Sequence, residues 1–241
     1  MIEIESLVKT FGYFPVLRGV DLQVERGQFL AFLGPNGSGK TTMLRILQGL
    51  AKPTSGRVLI GGWEIPKETF AIRQQLGVVS HLPLLYDSLT AEENLLFFAR
   101  LYDLPATERG ERVHRILQQV GLEKRAKDVV HTFSRGMVQR LAIARALLHD
   151  PAILLLDEPY TGLDVDAAAL LDHLLTEVAG VKDGIRTVIM TTHDLGRAYQ
   201  HATHVAILSR GKIGYYGPTS AMTADELPRI YAKTVGMVTT A

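Results

Sequence analysis

The sequence predicts an α/β fold with a mostly parallel core sheet, an N-terminal antiparallel β layer and an inserted α-helical subdomain. Three observations carry that expectation. A glycine-rich stretch, Gly34-Pro35-Asn36-Gly37-Ser38-Gly39-Lys40-Thr41-Thr42, sits between the apolar run Phe29–Leu33 and a helix-like segment through Leu47, the order of a phosphate-binding strand, loop and helix. The run Ile153–Leu156 is too continuously apolar for a strand with one wet face and reads as a central parallel strand, and Thr187–Thr191 reads as another buried strand. Between the loop and those strands, residues 90 to 149 turn to helical spacing.

Taken in order, residues 2 to 33 hold three strand candidates, near 2 to 8, 20 to 25 and 28 to 33, broken by Gly12, Gly19 and Gly27. After the loop's helix, Lys52-Pro53-Thr54-Ser55-Gly56 reads as a turn, Arg57–Ile60 alternates as a strand ending at Gly61-Gly62, and Leu76–Val79 is a short buried strand. Thr90-Ala91-Glu92-Glu93 is a capping box ahead of Leu95, Phe98 and Ala99, and Thr107 caps a second helix that Gly121 stops. A third helix begins at Ser134 and ends at Asp150-Pro151, since the residue before a proline disfavours the helical conformation. The core returns at Ala152–Asp157, followed by a helix over 165 to 178, the strand 187 to 191, and a hairpin of 204 to 208 with 212 to 216 across Arg210-Gly211. The expected division is a core with its β layer over 1–89 and 150–241, and a helical subdomain over 90–149. Trp63 and the pair Tyr215-Tyr216 are expected to be packing residues, and the segment from Thr223 onward a short surface helix without recognisable chemistry.

Composition narrows the function classes. A formal net charge of +1, with 26 basic residues spread along 241 positions, gives no electrostatic case for nucleic acid. Zero cysteines exclude a disulfide framework and thiolate metal sites, and are compatible with a reducing cytosol. Glu3 and Glu5 stand where a signal peptide would carry lysines, and no apolar run approaches the roughly 18 residues of a membrane span. The expectation is a cytoplasmic chain that neither enters nor spans a membrane unaided.

The glycine-rich stretch has the chemistry of an anion cradle. Gly34, Gly37 and Gly39 let the backbone curl so that successive N–H groups point inward, the free N–H groups at the helix start favour an anion, and Lys40 reaches the β- and γ-phosphates. Thr41 is placed to hold Mg²⁺. A flexible turn with a solvated lysine is the plain alternative, disfavoured by the strand and helix on the correct sides.

A second constellation is Leu155-Leu156-Asp157-Glu158-Pro159. A carboxylate at the tip of a buried parallel strand lies at the sheet's carboxyl edge, where open α/β folds bind ligands. Asp157 is then a Mg²⁺ partner, directly or through water, and Glu158 orients or deprotonates an attacking water. Alone, the two acids read equally well as a strand cap; the phosphate loop in the same chain favours the chemical reading. Thr192-His193-Asp194 closes another buried strand and puts the His193 imidazole on the same edge, for contact with the γ-phosphate or water, against the plainer reading of a capping or core histidine.

Ser134-Arg135-Gly136-Met137-Val138-Gln139-Arg140, the following Leu141–Leu147, the run Leu154–Pro159, Thr161-Gly162-Leu163-Asp164 and His193 together resemble the nucleotide-binding subunit of ATP-binding cassette (ABC) transporters, over residues 2 to 220. The resemblance implies a P-loop NTPase cassette with a RecA-like core, ATP and Mg²⁺ as ligands, and ATP hydrolysis coupled to transport. Lys40 and the N–H groups of residues 37 to 42 would neutralise the phosphates, Thr41 and Asp157 hold Mg²⁺, and Glu158 activate an in-line water with His193 supporting the transition state. Ser134 and Gly136 would clamp ATP held by a second subunit, so the complete site implies a homodimer that ATP closes and hydrolysis releases. Asp164 matches the loop crossing that interface. Phe11 matches the aromatic that stacks on adenine, although a phenylalanine after a strand is by itself more often core. Polytopic membrane subunits are the implied partners, with the chain peripheral on the cytoplasmic face of the cell membrane.

Two departures refine the resemblance. Phe133-Ser134-Arg135-Gly136-Met137 replaces the usual Leu-Ser-Gly-Gly-Gln, a form similar to exporter-type members. His81 stands where the family usually has a glutamine that touches Mg²⁺ or water and relays the nucleotide state; an imidazole accepts from a metal-bound water with shorter reach and pH-dependent charge, or else His81 is structural. Val78–Pro83, followed by Leu89–Leu95, is similar to the ATP-binding subunit of the haem exporter of bacterial cytochrome c biogenesis, which makes haem export or release the specific expectation. Haem itself is not expected to bind this chain, whose eight histidines lie in no Cys-x-x-Cys-His or paired-ligand pattern. The alternatives are a drug, lipid or polysaccharide exporter, a soluble assembly ATPase, which the Ser-x-Gly-Met form argues against, and a nucleotide switch, which Glu158 and His193 argue against.

Overall fold

The computed structural model describes residues 1–179 and 186–236. Two sheets form. The first is antiparallel, built from β1 (Ile2–Phe11), β2 (Phe14–Val24), β4 (Ser55–Ile60) and β5 (Trp63–Ile65) in the order β2-β1-β4-β5. The second contains β3 (Phe29–Leu33), β6 (Leu76–Val79), β7 (Ile153–Asp157), β8 (Thr187–Thr191), β9 (His204–Ser209) and β10 (Lys212–Pro218), in the order β10-β9-β3-β8-β7-β6. All its pairings are parallel except the β9–β10 hairpin.

The continuous apolar runs have a direct cause. Phe29, Ala31 and Leu33 of β3 enter one hydrophobic core with Leu154, Leu156, Val188 and Met190, while Leu30 and Phe32 enter a second core with Ile153, Leu155 and Ile189. Side chains alternate along a strand, so a strand between two cores must be apolar at every position. The second core lies under the antiparallel sheet and helix α1 (Lys40–Leu47); the first is closed by α3 (Ala91–Leu101), α4 (Arg109–Gln119), α5 (Arg135–Leu147) and α6 (Val165–Ala179). Each fully buried Leu, Ile or Phe contributes about 1.5–3 kcal/mol, so the sheet's position is strongly fixed. Short helices α2 (Thr69–Gln74) and α7 (Leu195–His201) complete the core, and α8 (Glu226–Val235) buries Leu227.

Several expectations are corrected. Gly19 does not break a strand: β2 runs through it, and because Leu7 pairs with Val20 while Val8 pairs with Arg18, Gly19 is the extra residue of a bulge. Gly56 belongs to β4 rather than a turn, where a side chain would meet the Ser6 carbonyl at 2.4 Å. Glu108, not Thr107, occupies the N-cap position of α4. Trp63 and Tyr216 are each 40% exposed, and Tyr216 donates to the Gln23 carbonyl at 3.0 Å, whereas Tyr215 packs on the core. The capping box holds, with Thr90 Oγ1 accepting from Glu93 N and Glu93 Oε2 accepting from Thr90 N. The segment after Thr223 forms α8 as far as Val235, and residues 237–241 lie outside the described residues. Among the described residues, no helix is long and apolar enough to cross a membrane.

Candidate active site

The parallel strands β3, β8, β7 and β6 end on one edge of the sheet, and each leads into a segment singled out by the sequence: Gly34–Thr42, Thr192–Asp194, Asp157-Glu158 and Ser80-His81. At the first of these, Gly34 has no room for a side chain, since a Cβ would lie 2.3 Å from the Leu208 carbonyl oxygen. Gly39 (φ +112°) occupies the N-cap position of α1 with no side-chain cap, so the first N–H groups of that helix are left for an anion. Lys40 is buried and bends back over the loop, donating to the carbonyls of Gly34 at 2.7 Å and Pro35 at 3.3 Å. Burial lowers its pKa, while the nearby carboxylates of Glu158 and Asp157 act in the opposite direction. Ser38 Oγ is buried without a partner, an unusual deficit that a ligand oxygen would relieve.

The cleft over this loop encloses about 390 Å³ and is lined by Val16, residues 36–42 and Glu158. The cradle therefore faces a carboxylate carried at the end of β7, two strands away from β3 across β8. Glu158 adopts φ +50°, a left-handed conformation costing a non-glycine residue about 1–3 kcal/mol. Thr191 holds it there: Glu158 N donates to both the carbonyl oxygen and Oγ1 of Thr191, at 3.1 and 3.0 Å. The same Thr191 hydroxyl donates to Asp157 Oδ1 at 2.7 Å. One threonine thus orients both acids, and sequence reasoning missed it because a threonine ending a β-branched run reads as an ordinary strand residue. Glu158 Oε2 in turn lies 2.9 Å from His193 Nδ1, which pairs the largely buried acid with an exposed imidazole.

Thr41, Asp157 and His81 line a second cleft together, with the exposed His81 at its rim. A threonine hydroxyl and one carboxylate suit Mg²⁺, which takes few protein oxygens and completes its shell with phosphates and water. Phe11, expected either as core or as an adenine platform, is 50% exposed beside the still more exposed Tyr13 and Phe14, with Lys9 Nζ 4.8 Å from its ring centre. The core alternative is excluded.

Ser134, Gly136 and Asp164 are not brought to the phosphate loop within the subunit. Ser134 caps α5, its Oγ accepting from Met137 N at 3.3 Å. Gly136 is buried where a Cβ would lie 2.6 Å from Ala167 Cβ of α6. Asp164 caps α6 through Ala167 N at 2.8 Å and borders a cleft shared with Glu158 and His193.

A two-core α/β sheet with a phosphate loop, two strand-end acids and a strand-end histidine on one edge defines an ATP-binding cassette, and the family model for the ABC transporter matches residues 17–161. The chain belongs to this family of ATP-hydrolysing transporter subunits. It is 35% identical over 213 residues to the linearmycin resistance ATP-binding protein LnrL of Bacillus subtilis (strain 168), covering 88% of this chain and 68% of that protein. It is 38% identical over 213 residues to the bacitracin transport ATP-binding protein BcrA of Bacillus licheniformis, covering 88% and 68%. Among solved structures, the dimeric post-hydrolysis state of the ATP-binding cassette MJ0796 bound to ADP and Pi aligns with a TM-score of 0.80 and 31% identity, over 91% of this chain and 99% of that one.

Proposed function

We propose that the chain is the ATPase subunit of a bacterial exporter of an antibiotic-like compound, working as a homodimer beneath polytopic membrane subunits on the cytoplasmic face of the membrane. The observation that carries the hydrolytic part is the uncapped start of α1 with buried Lys40, opposite the Glu158–His193 pair. Lys40 and the N–H groups of residues 37–42 hold the β- and γ-phosphates, and Phe11 stacks on the adenine. Thr41 and Asp157 would hold Mg²⁺, which when bound would supply positive charge to the phosphates. Glu158 takes a proton from the attacking water, and His193 holds Glu158 Oε2 and meets the γ-phosphate. Residues 90–149 serve as the helical subdomain that presents Ser134 and Gly136 to ATP on the second copy, with Asp164 at that interface and His81 in the relay position. The linearmycin resistance and bacitracin transport relatives favour antibiotic export over haem export, whose support is confined to the Ser80-His81 pair and its surrounding sequence.

Glu158→Gln keeps the shape and removes the base. ATP affinity should stay within about twofold while phosphate release falls by roughly 10²–10⁴, the usual contribution of a general base. Equal turnover in the two proteins removes Glu158 from that role. For the transported compound, complexes purified from solubilised membranes should return polytopic subunits and show turnover stimulated by bacitracin or linearmycin; stimulation by haem alone would reverse the preference.

A further inference from the structure

Asp172 lies on α6, outside every motif that the sequence singles out, and gathers three donors from two other segments. Tyr160 Oη donates to Oδ1 at 2.7 Å, Arg197 NH1 donates to both carboxylate oxygens at 2.7 Å, and His201 Nε2 lies 2.8 Å from Oδ1. The Arg197 guanidinium also sits 4.2 Å from the centre of the Tyr160 ring, and Arg197 Nε lies 3.3 Å from Asp194 Oδ2. The side chains of Asp172 and Arg197 are 20% and 23% exposed, and that of His201 is 6% exposed. At that depth an ion pair is held firmly when further hydrogen bonds support it, and here Tyr160 and His201 add theirs to the Arg197 pair on the same carboxylate. Burial and the adjacent carboxylate push the Tyr160 phenol well above its usual range, so it remains a donor.

The two segments that Asp172 joins are those carrying the proposed catalytic pair. Tyr160 stands two residues beyond Glu158, and Arg197 and His201 belong to α7, which begins directly after His193-Asp194. Thr191 fixes the roots of both segments through Asp157 and the Glu158 backbone. Nothing at Thr191 fixes their far sides. We propose that Asp172 is the positioning residue that does so, locking the Glu158 loop against α7 and thereby holding Glu158 Oε2 and His193 Nδ1 at contact distance. The loop is then pinned to α6 at two points, through Tyr160 at Asp172 and through Asp164 at Ala167 N.

This inference rests on the hydrolytic reading of Glu158, so its test includes that residue. Phosphate release by the full chain, ATP affinity and thermal midpoint are measured for wild type, Asp172→Asn, Tyr160→Phe and Glu158→Gln. Asp172→Asn keeps the volume and removes the charge; kcat should fall about ten- to hundredfold, the scale of an ångström-sized misplacement, with KM for ATP unchanged because the phosphate loop is untouched. Tyr160→Phe keeps the ring under Arg197 and loses one hydrogen bond, for a fall in kcat of about three- to tenfold. Should Asp172→Asn fail to fold, Tyr160→Phe decides. Wild-type kcat in a folded Tyr160→Phe or Asp172→Asn protein, or a loss that merely follows the folded fraction, overturns the proposal. If Glu158→Gln is inactive while both other variants are normal, the positioning role alone fails; if Glu158→Gln turns over normally, the hydrolytic reading fails and takes this inference with it.

Discussion

Two helix starts in this chain carry signature chemistry, and they are built in opposite ways. At α1 the N-cap position is Gly39, which has no side chain to offer, and the helix's free N–H groups face a cleft with a buried lysine. At α5 the N-cap is Ser134, whose hydroxyl satisfies Met137 N, and the first turn is packed against α6 at Gly136. The first end has no side-chain cap, and the second has one of its first-turn N–H groups capped within the subunit. A ligand that binds at α1 fills vacant backbone donors, whereas at Ser134 the hydroxyl already accepts from Met137 N at 3.3 Å and has its own proton left to donate. On the function proposed above, the phosphate loop is the place of intrinsic affinity and the signature responds once a second copy presents a ligand.

Breaking the stronger end should give the largest effect. Lys40→Ala removes the one cation in the phosphate-loop cleft among the described residues; charge-assisted hydrogen bonds worth about 1.5–3 kcal/mol are lost, and ATP should bind roughly 10- to 100-fold more weakly by isothermal titration. Unchanged affinity would mean that the backbone cradle suffices and that the contrast between the helix starts is misdrawn. Gly136→Ala probes the other end. Its Cβ would press on Ala167, and overpacking of this kind costs about 1–3 kcal/mol. The thermal midpoint and turnover should drop while ATP binding persists, and adding Ala167→Gly should restore both. A smaller effect concerns the network behind the second end. Burial opposes ionisation of Asp172, but bonds from Tyr160, His201 and Arg197 outweigh it and hold its carboxyl below the usual range. Its folded pKa being depressed, its contribution to stability is complete above the unfolded value near about 3.9 and is lost as pH falls through the folded one. Thermal midpoints measured downward from about pH 5 should therefore decline less steeply for Asp172→Asn than for wild type.

What the sequence made legible follows local rules. The phosphate loop, the Thr90–Glu93 box, the Ser134 cap and the apolar runs of β3, β7 and β8 are each written within a few neighbouring residues, and each appears as expected. Gly19 misled because a glycine in a strand signals a bulge as well as a break, and only the pairing with Leu7 and Val8 tells them apart. The short β5, α2 and α7 were missed because few residues leave little periodicity to read, although Asp194 ahead of Leu195 is a serviceable cap signal. Thr191 and Asp172 were invisible for a different reason. Their partners are 34 and up to 29 positions away, so their roles exist only once distant elements are packed together. A charged residue on a helix reads as a solvated face until the opposing arginine is found.

The order of the parallel sheet has a consequence for how the chain is made. β3, which ends in the phosphate loop, pairs on one side with β8 and on the other with β9, so Phe29 finds its neighbour at Val188 and Leu30 its neighbour at His204. During synthesis both edges of that strand stay open until more than half of the remaining chain has left the ribosome, and closing such long loops is slow because their entropy is spent before any contact is gained. Translation at about 5–20 residues per second leaves a bare, wholly apolar strand waiting for many seconds. The early β1–β2 hairpin, with its local pairing, is the native surface available to cover one face of it in that interval. The phosphate-loop residues are thus among the first to be made and the last to be assembled, which favours dependence on chaperones during expression and makes truncation before β9 incompatible with a completed sheet around that loop.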